Sequence, residues 1–296
     1  LDMDGGNLKL LMPNDTVVDD ITYTSQQPDV SIGRSPNGTG NFAYFDQPTP
    51  RAANSTPAYG TYNFALEPVF SLPGGFHSGA KTVTLSTTEP GATIRYTLDG
   101  SKPTASSPTY SGPININAPT VVRARTFVAG KMASRTATRT YLIDVPANMA
   151  VVSIATDPAH LFDNTIGIYV VGTGANTPHY RLPWERPASV EMYEKNGALA
   201  FRQDTGFEIS GGGSRGMPQK SLELKARKRY GDNDYDYAVF PDRSLTAYSR
   251  LILRHPGNLG ASNSIIREPL GHMLAKDGRM DLDYMDYRPV VVFLNG

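Results

Sequence analysis

The 296-residue chain contains no cysteine. That excludes a disulfide framework, a zinc–thiolate centre, an iron–sulfur cluster and a cysteine nucleophile. It also has no charge excess, with 28 Lys+Arg against 28 Asp+Glu. A protein that binds nucleic acid through phosphates, or a membrane through a polybasic patch, needs a local surplus that this composition does not advertise. Charged residues reach only 19 %, against about 25 % in an average soluble domain. No apolar run approaches the ~20 residues that cross a bilayer as a helix, so neither nucleic acid nor a membrane span is expected. What the chain has in surplus is turn formers: 28 glycines and 23 prolines, 51 of 296 residues, where about 12 % is usual. This is the composition of a β protein with many turns.

The two ends carry a further expectation. Leu1 is preceded by no basic-then-apolar leader. Val290 to Leu294 reads as a buried strand, and Asn295-Gly296 is a strong hairpin-turn signal. A hairpin needs a return strand, so the chain is expected to stop inside a domain.

Three segments differ in pattern. Residues 1–54 alternate short apolar runs (Leu8-Lys9-Leu10-Leu11, Thr16-Val17-Val18-Asp19) with Asn, Asp and Gly turns. The stretches Val17-Val18-Asp19, Ser31-Ile32-Gly33-Arg34-Ser35-Pro36-Asn37-Gly38-Thr39-Gly40-Asn41-Phe42 and Pro48-Thr49-Pro50-Arg51-Ala52-Ala53-Asn54 resemble the closing half of a bacterial lamin-tail domain, an immunoglobulin-like β-sandwich. Residues 55–65 read as a linker.

Over 66–144 strict alternation appears. Val83 and Leu85 share one strand face; Ile94, Tyr96 and Leu98 share another; Ile114 and Ile116 follow. Val122, Ala124 and Thr126 then alternate with Arg123, Arg125 and Phe127. Short strands at this spacing predict a small antiparallel sandwich. The string from Ala92 to Thr104, with Tyr110-Ser111-Gly112-Pro113-Ile114 and Val122-Arg123-Ala124-Arg125, resembles the C-terminal β-sandwich of chitobiases and β-hexosaminidases. That resemblance implies an accessory module with no catalytic residues of its own.

From 148 onward the pattern becomes α+β. Val151 to Ile154 predicts a buried strand, and Asp157-Pro158 predicts an N-cap with proline at the first helical position. Further strands are expected at 188–193, 206–210, 221–226 and 250–254. A helix is expected over 264–276, with Ile266, Leu270, Met273 and Leu274 on one face. Pro269 requires that helix to begin near Glu268 or to bend there.

The chemistry-bearing stretch is Gly206 to Leu224, where a strand enters a glycine-rich loop, followed by Ser214, Arg215, Pro218 and Lys220. Such a loop lets backbone N–H groups approach an anion, and Lys and Arg at its edge can neutralise phosphates. The same residues also suit a solvated hairpin loop with glycines at positive φ. No helix follows the loop, so it is neither a Walker A loop nor a dinucleotide fingerprint.

The spacing Ser214-Arg215-x-x-Pro218-x-Lys220-Ser221, then Leu251-Ile252-Leu253-Arg254-His255-Pro256-Gly257-Asn258, Ile266-Arg267 and Val291 to Gly296, resembles the N-terminal part of the spore-coat CotH family of atypical kinases. The resemblance implies ATP- and Mg-dependent phosphoryl transfer to Ser or Thr of extracellular proteins. Lys220 would hold phosphate, Ser214 and Arg215 would shape the loop, and Asn258 and Arg267 would contact the nucleotide. Gln219 stands where a second lysine is usual, and Leu259 where relatives often carry an acid. Metal-binding acids are expected beyond Gly296, so residues 1–296 alone are expected to be inactive and to hold no metal ligand.

Other candidates are weaker. Asp232, Asp234 and Asp236 alternate, but Tyr237 and Arg243 fall where a calcium loop needs Gly and Glu. Trp184 with Tyr180 could form a sugar platform or simply pack. The five histidines have no ligand spacing. The sequence therefore predicts two immunoglobulin-like sandwiches, the first incomplete, ahead of a truncated α+β kinase-like domain. The whole reads as a secreted or surface bacterial protein with the β modules as spacers. The alternative is a non-enzymatic adhesion or carbohydrate-binding protein whose kinase-like unit is degenerate, with glycans as partners.

Overall fold

The computed structural model describes residues 3–174, 176–255 and 266–296. The first segment forms two separate antiparallel hairpins, β1 (Gly6–Leu11) with β2 (Val17–Tyr23) and β3 (Ser31–Ser35) with β4 (Asn41–Phe45). Ala43 and Phe45 are its buried apolar residues, whereas Leu8, Leu10, Val17 and Val18 are exposed. Residues 55–65 do not hang free. Tyr44 bridges to Tyr59 on one side and Phe64 to Met132 on the other, stitching the expected linker to both neighbours.

The second segment contributes β5 (Val69–Phe70), β6 (Gly75–His77), β7 (Lys81–Val83), β8 (Leu85–Ser86), β9 (Thr93–Thr97), β10 (Ile114–Ile116), β11 (Thr120–Phe127) and β12 (Ala137–Ile143). A four-stranded sheet runs β6-β12-β11-β9, and the small pairs β7–β10 and β5–β8 complete the module. Val83, Leu85, Ile94, Ile114, Ile116, Val122, Ala124, Tyr141 and Ile143 form its core. The expected strand through Val83 and Leu85 is broken at Thr84, and its halves join different pairs. Both side chains still point inward, because a strand that changes sheet keeps its buried positions. Leu98, by contrast, lies just past the end of β9 and is exposed.

The third segment contains β13 (Ala150–Ala155), α1 (Pro158–Phe162), β14 (Arg186–Tyr193), β15 (Leu199–Ser210), β16 (Ser221–Lys225), β17 (Tyr235–Asp236), β18 (Ala247–Tyr248), β19 (Arg250–Leu253), α2 (Arg267–Asp277) and β20 (Val290–Leu294). Six of these strands form one sheet in the order β19-β16-β15-β14-β13-β20, with β13 and β20 parallel. Asp157 caps α1 by accepting from the Ala159 N–H, as the Asp-Pro signal predicts. Helix α2 begins at Arg267, so Pro269 falls in the first turn, where its missing N–H costs nothing. Its expected apolar face is not buried among the described residues: Ile266, Leu270, Met273 and Leu274 are all exposed.

Alternation explains how the second and third segments meet. In β13, Val152 and Ile154 enter the core of the third segment, which also takes Val190, Met192, Phe207, Ile209, Leu222 and Leu224. The intervening Val151 and Tyr193 face the other way and pack with Leu142 of β12. Phe76, Val145, Val291 and Phe293 surround this second cluster. Strand β12 is likewise two-sided, with Tyr141 and Ile143 in the sandwich core and Leu142 in the joint. Period-2 side-chain placement thus gives both sheets two buried faces. The joint is also hydrogen-bonded: the Thr140 hydroxyl donates to Ser153 Oγ at 2.8 Å, and Arg123 reaches Ser189 Oγ.

Candidate functional site

The glycine-rich loop connects β15 to β16. Gly211 takes a φ of +103°, which only glycine adopts readily, and a short 3-10 turn spans Gly213–Gly216. Two backbone bonds close the loop on itself, Arg215 N–H to Gly212 O and Met217 N–H to Ser214 O. Lys220 continues the row of Leu222 and Leu224, so its side chain lies on the core face of the sheet.

Lys220 is only 8 % exposed. Its ammonium donates to the carbonyl oxygens of Arg215 (2.7 Å) and Met217 (2.9 Å). The Tyr180 ring lies 4.3 Å from Nζ and the Tyr169 ring 5.6 Å, both presenting π faces to the charge. No carboxylate pairs with Lys220 among the described residues. Burial alone pulls its pKa below the ordinary lysine value.

The structure brings Ser214, Arg215 and Lys220 into one loop. Ser214 is half-buried in the 3-10 turn. Arg215 donates Nε to Gly211 O and reaches the Arg181 carbonyl at 3.4 Å, so its guanidinium braces the loop backbone. Arg267 is exposed at the start of α2, and no hydrogen bond or ion pair among the described residues joins it to the loop. The neighbouring Arg254–Glu268 ion pair at 2.6 Å ties α2 to the end of β19. Asn258 lies outside the described residues.

The tyrosines over Lys220 escaped the sequence reading. Tyr180 stood out only as a partner for Trp184, but the two rings divide the work. Trp184 packs against His179 (centroids 4.5 Å apart) and under Arg186, while Tyr180 covers the lysine. Asp232 and Asp236 are exposed and Asp234 is half-buried, in a bend that runs into β17, where Tyr235 is buried. No group of three or more His, Asp or Glu side chains among the described residues is placed to hold a metal ion.

A known family model fits the sandwich. Residues 72–138 match the chitobiase/β-hexosaminidase C-terminal domain. The match covers β6 to the start of β12, so the chitobiase-type module is present as a β-sandwich, as its alternation predicts. No curated protein matches the chain. No helix among the described residues is long and apolar enough to cross a membrane.

Proposed function

We propose that the chain is part of a secreted or surface protein whose residues 148–296 form the first part of a CotH-like kinase domain, carried on β modules. In this reading the Gly211–Lys220 loop binds the phosphates of ATP, which are transferred to Ser or Thr of extracellular proteins. Lys220 carries the proposal. A buried ammonium satisfied by two carbonyls and two rings, with no counter-charge beside it among the described residues, gains from an arriving anion and has lost solvation to be there. Arg215, already braced against the loop, would complete a second phosphate contact by turning its free guanidinium edge outward. Phosphoryl transfer of this kind also uses Mg to neutralise charge. The described residues offer no Mg ligand set.

A fluorescent ATP analogue titrated into the 296-residue chain tests this. Binding should weaken by about tenfold or more in Lys220→Met and stay unchanged in Lys195→Met, an exposed turn residue. Equal binding by wild type and Lys220→Met would remove the nucleotide role.

One observation favours a second reading, a non-enzymatic adhesion or carbohydrate-binding protein with a degenerate kinase-like unit. Lys220 and Arg215 already satisfy the carbonyls of their own loop, as residues kept only to fold a turn would.

A further inference from the structure

A pocket of about 260 Å³ opens where all three segments meet. It shares no residue with the Lys220 loop. Asp204, which lines it, alternates with Phe207 and Ile209 and so lies on the sheet face opposite Lys220.

Most charge around the pocket is already committed. Lys102 pairs with Asp29 at 2.6 Å, Arg229 with Glu185, and Arg125 donates to the carbonyls of Ser134, Pro103 and Ala133. Three groups are not fully used, the buried Arg123 and the half-buried Asp46 and Asp204. Arg123 is 7 % exposed; it donates Nη1 to Gly100 O at 2.8 Å and Nη2 to Ser189 Oγ, yet its Nε has no acceptor among the described residues. Asp46 accepts from the Ala133 N–H with Oδ2, but its buried Oδ1 has no donor among the described residues. Asp204 accepts from Ser189 through Oδ1, its one hydrogen bond among the described residues. His160, held through Nδ1 by Thr156, lines the same space. Buried polar atoms without partners are uncommon and costly, so two of them beside one cavity, Arg123 Nε and Asp46 Oδ1, mark a place where a ligand supplies the missing bonds.

The unused set fixes the chemistry. It combines one arginine donor with two carboxylate acceptors and an imidazole. An anion would face Asp46 and Asp204; a cation would face Arg123. A neutral ligand carrying several hydroxyls serves both, since each hydroxyl donates and accepts. Phe64 and Tyr230 supply apolar wall for the C–H face of a ring. The volume admits one such ring. We propose that this pocket binds a single neutral hexose unit, as a free sugar or as the end of a glycan, with Arg123, Asp46 and Asp204 as its hydrogen-bonding partners.

Ligand-observed NMR and calorimetry with the 296-residue chain test this, using glucose, galactose, mannose and N-acetylglucosamine, their methyl glycosides, and short oligosaccharides of each. Saturable binding of at least one hexose is expected. Binding that survives in the methyl glycoside and the oligosaccharide identifies a glycan end; binding of the reducing sugar alone identifies the free monosaccharide. Arg123→Lys removes the unpartnered Nε and should weaken binding about tenfold. Thr136→Phe fills the pocket from its half-buried wall without removing a hydrogen bond and should do the same. Thermal melts of both variants show whether they fold. No saturable hexose binding by the folded wild type, or binding unchanged in folded Thr136→Phe, overturns the proposal. So does a preference for phosphate or a primary amine over every sugar.

Discussion

The Glu191 carboxylate accepts a hydrogen bond from the backbone N–H of Thr140 at 2.6 Å, joining β14 of the six-stranded sheet to β12 of the chitobiase-type sandwich. The same carboxylate accepts from the Tyr193 hydroxyl at 2.9 Å and from Arg202, its direct cross-strand neighbour. Glu191 is 1 % exposed, so its charge depends entirely on these partners. Removing it leaves Arg202 largely buried without a counter-charge and Thr140 N–H without an acceptor.

Glu191→Ala is therefore expected to cost about 3–5 kcal/mol, the usual range for breaking one side of a buried pair. Urea unfolding measures this. The joint should open before either module melts, so proteolysis should move to the connection near residues 144–149. A loss below about 1 kcal/mol, with unchanged cleavage, would mean that the apolar cluster of Leu142, Val151 and Tyr193 alone sets the joint.

Gly100 marks a second contact across the same joint. It sits in the Asp99–Ser101 turn at φ +87°, and a Cβ there would lie 2.2 Å from the Asn295 side chain. Asn295 is itself fixed, accepting from Thr156 N–H and donating to Ile154 O, both at 2.9 Å. Gly100→Ala combines a strained φ with a clash and should lower stability by about 2 kcal/mol or more. The matched change at Gly130 has a similar φ of +79° but open space, so it should cost about 1 kcal/mol from backbone strain alone. A differential scan of the two variants separates clash from φ. Equal losses would show that Asn295 moves aside freely.

The joint also shows how far the sequence could be read. The inward faces of Ile94, Ile114, Ile116, Val122 and Ala124, the longer strands of the third segment and the Asp157 cap follow from local pattern, because period 2 and capping chemistry act over a few residues; the short β17 and β18 and the first half of β15 carry no such signal. What the pattern does not encode is the second buried face. Arg123 and Thr140 look like solvent-facing alternates of Val122 and Tyr141. They are buried only because another sheet covers them, a contact 51 residues away in the case of Thr140 and Glu191. The same distance blindness hid Tyr169 and Tyr180 over Lys220, since nothing local links 169, 180 and 220. Ser214, Arg215 and Lys220 were legible as a group because they share one loop, while Arg267 depended on tertiary placement and lies apart.

Asp204 should give stability an unusual pH slope. Burial is the largest influence on it and raises its pKa above the ordinary aspartate value, against the opposing pull of Ser189, Arg123 and Lys102; Asp29 adds to the rise. In this window the folded state binds more protons than the unfolded chain. Stability from this group is greatest below the unfolded aspartate value and falls as pH rises toward the folded one. Asp204→Asn keeps an oxygen for Ser189 and removes the titration. Relative to wild type it should gain stability between about pH 4 and neutrality and lose that advantage in more acid solution. Unfolding measured at several pH values checks the sign; a variant that instead loses stability toward neutral pH would show that Asp204 is held ionised by Arg123.

Lys220 offers a direct separation of folding from function. Its ammonium is buried beneath Tyr180 and its pKa is lowered by that burial, so the charged form is disfavoured in the folded state. Lys220→Met loses the two bonds to Arg215 and Met217 carbonyls but also removes a buried charge, and the methionine can lie against the same tyrosine faces. The two effects oppose each other at similar size, leaving a net change within about 1 kcal/mol. A lysine kept only to fold the loop would make the substitution clearly destabilising at neutral pH. A lysine kept to meet an anion would leave the melting temperature nearly unchanged while polyphosphate protection against heat, present in the wild type, disappears. Melting curves of both proteins with and without tripolyphosphate read out the two roles separately. A variant that melts well below wild type, alongside a wild type that tripolyphosphate does not stabilise, assigns Lys220 to the fold alone.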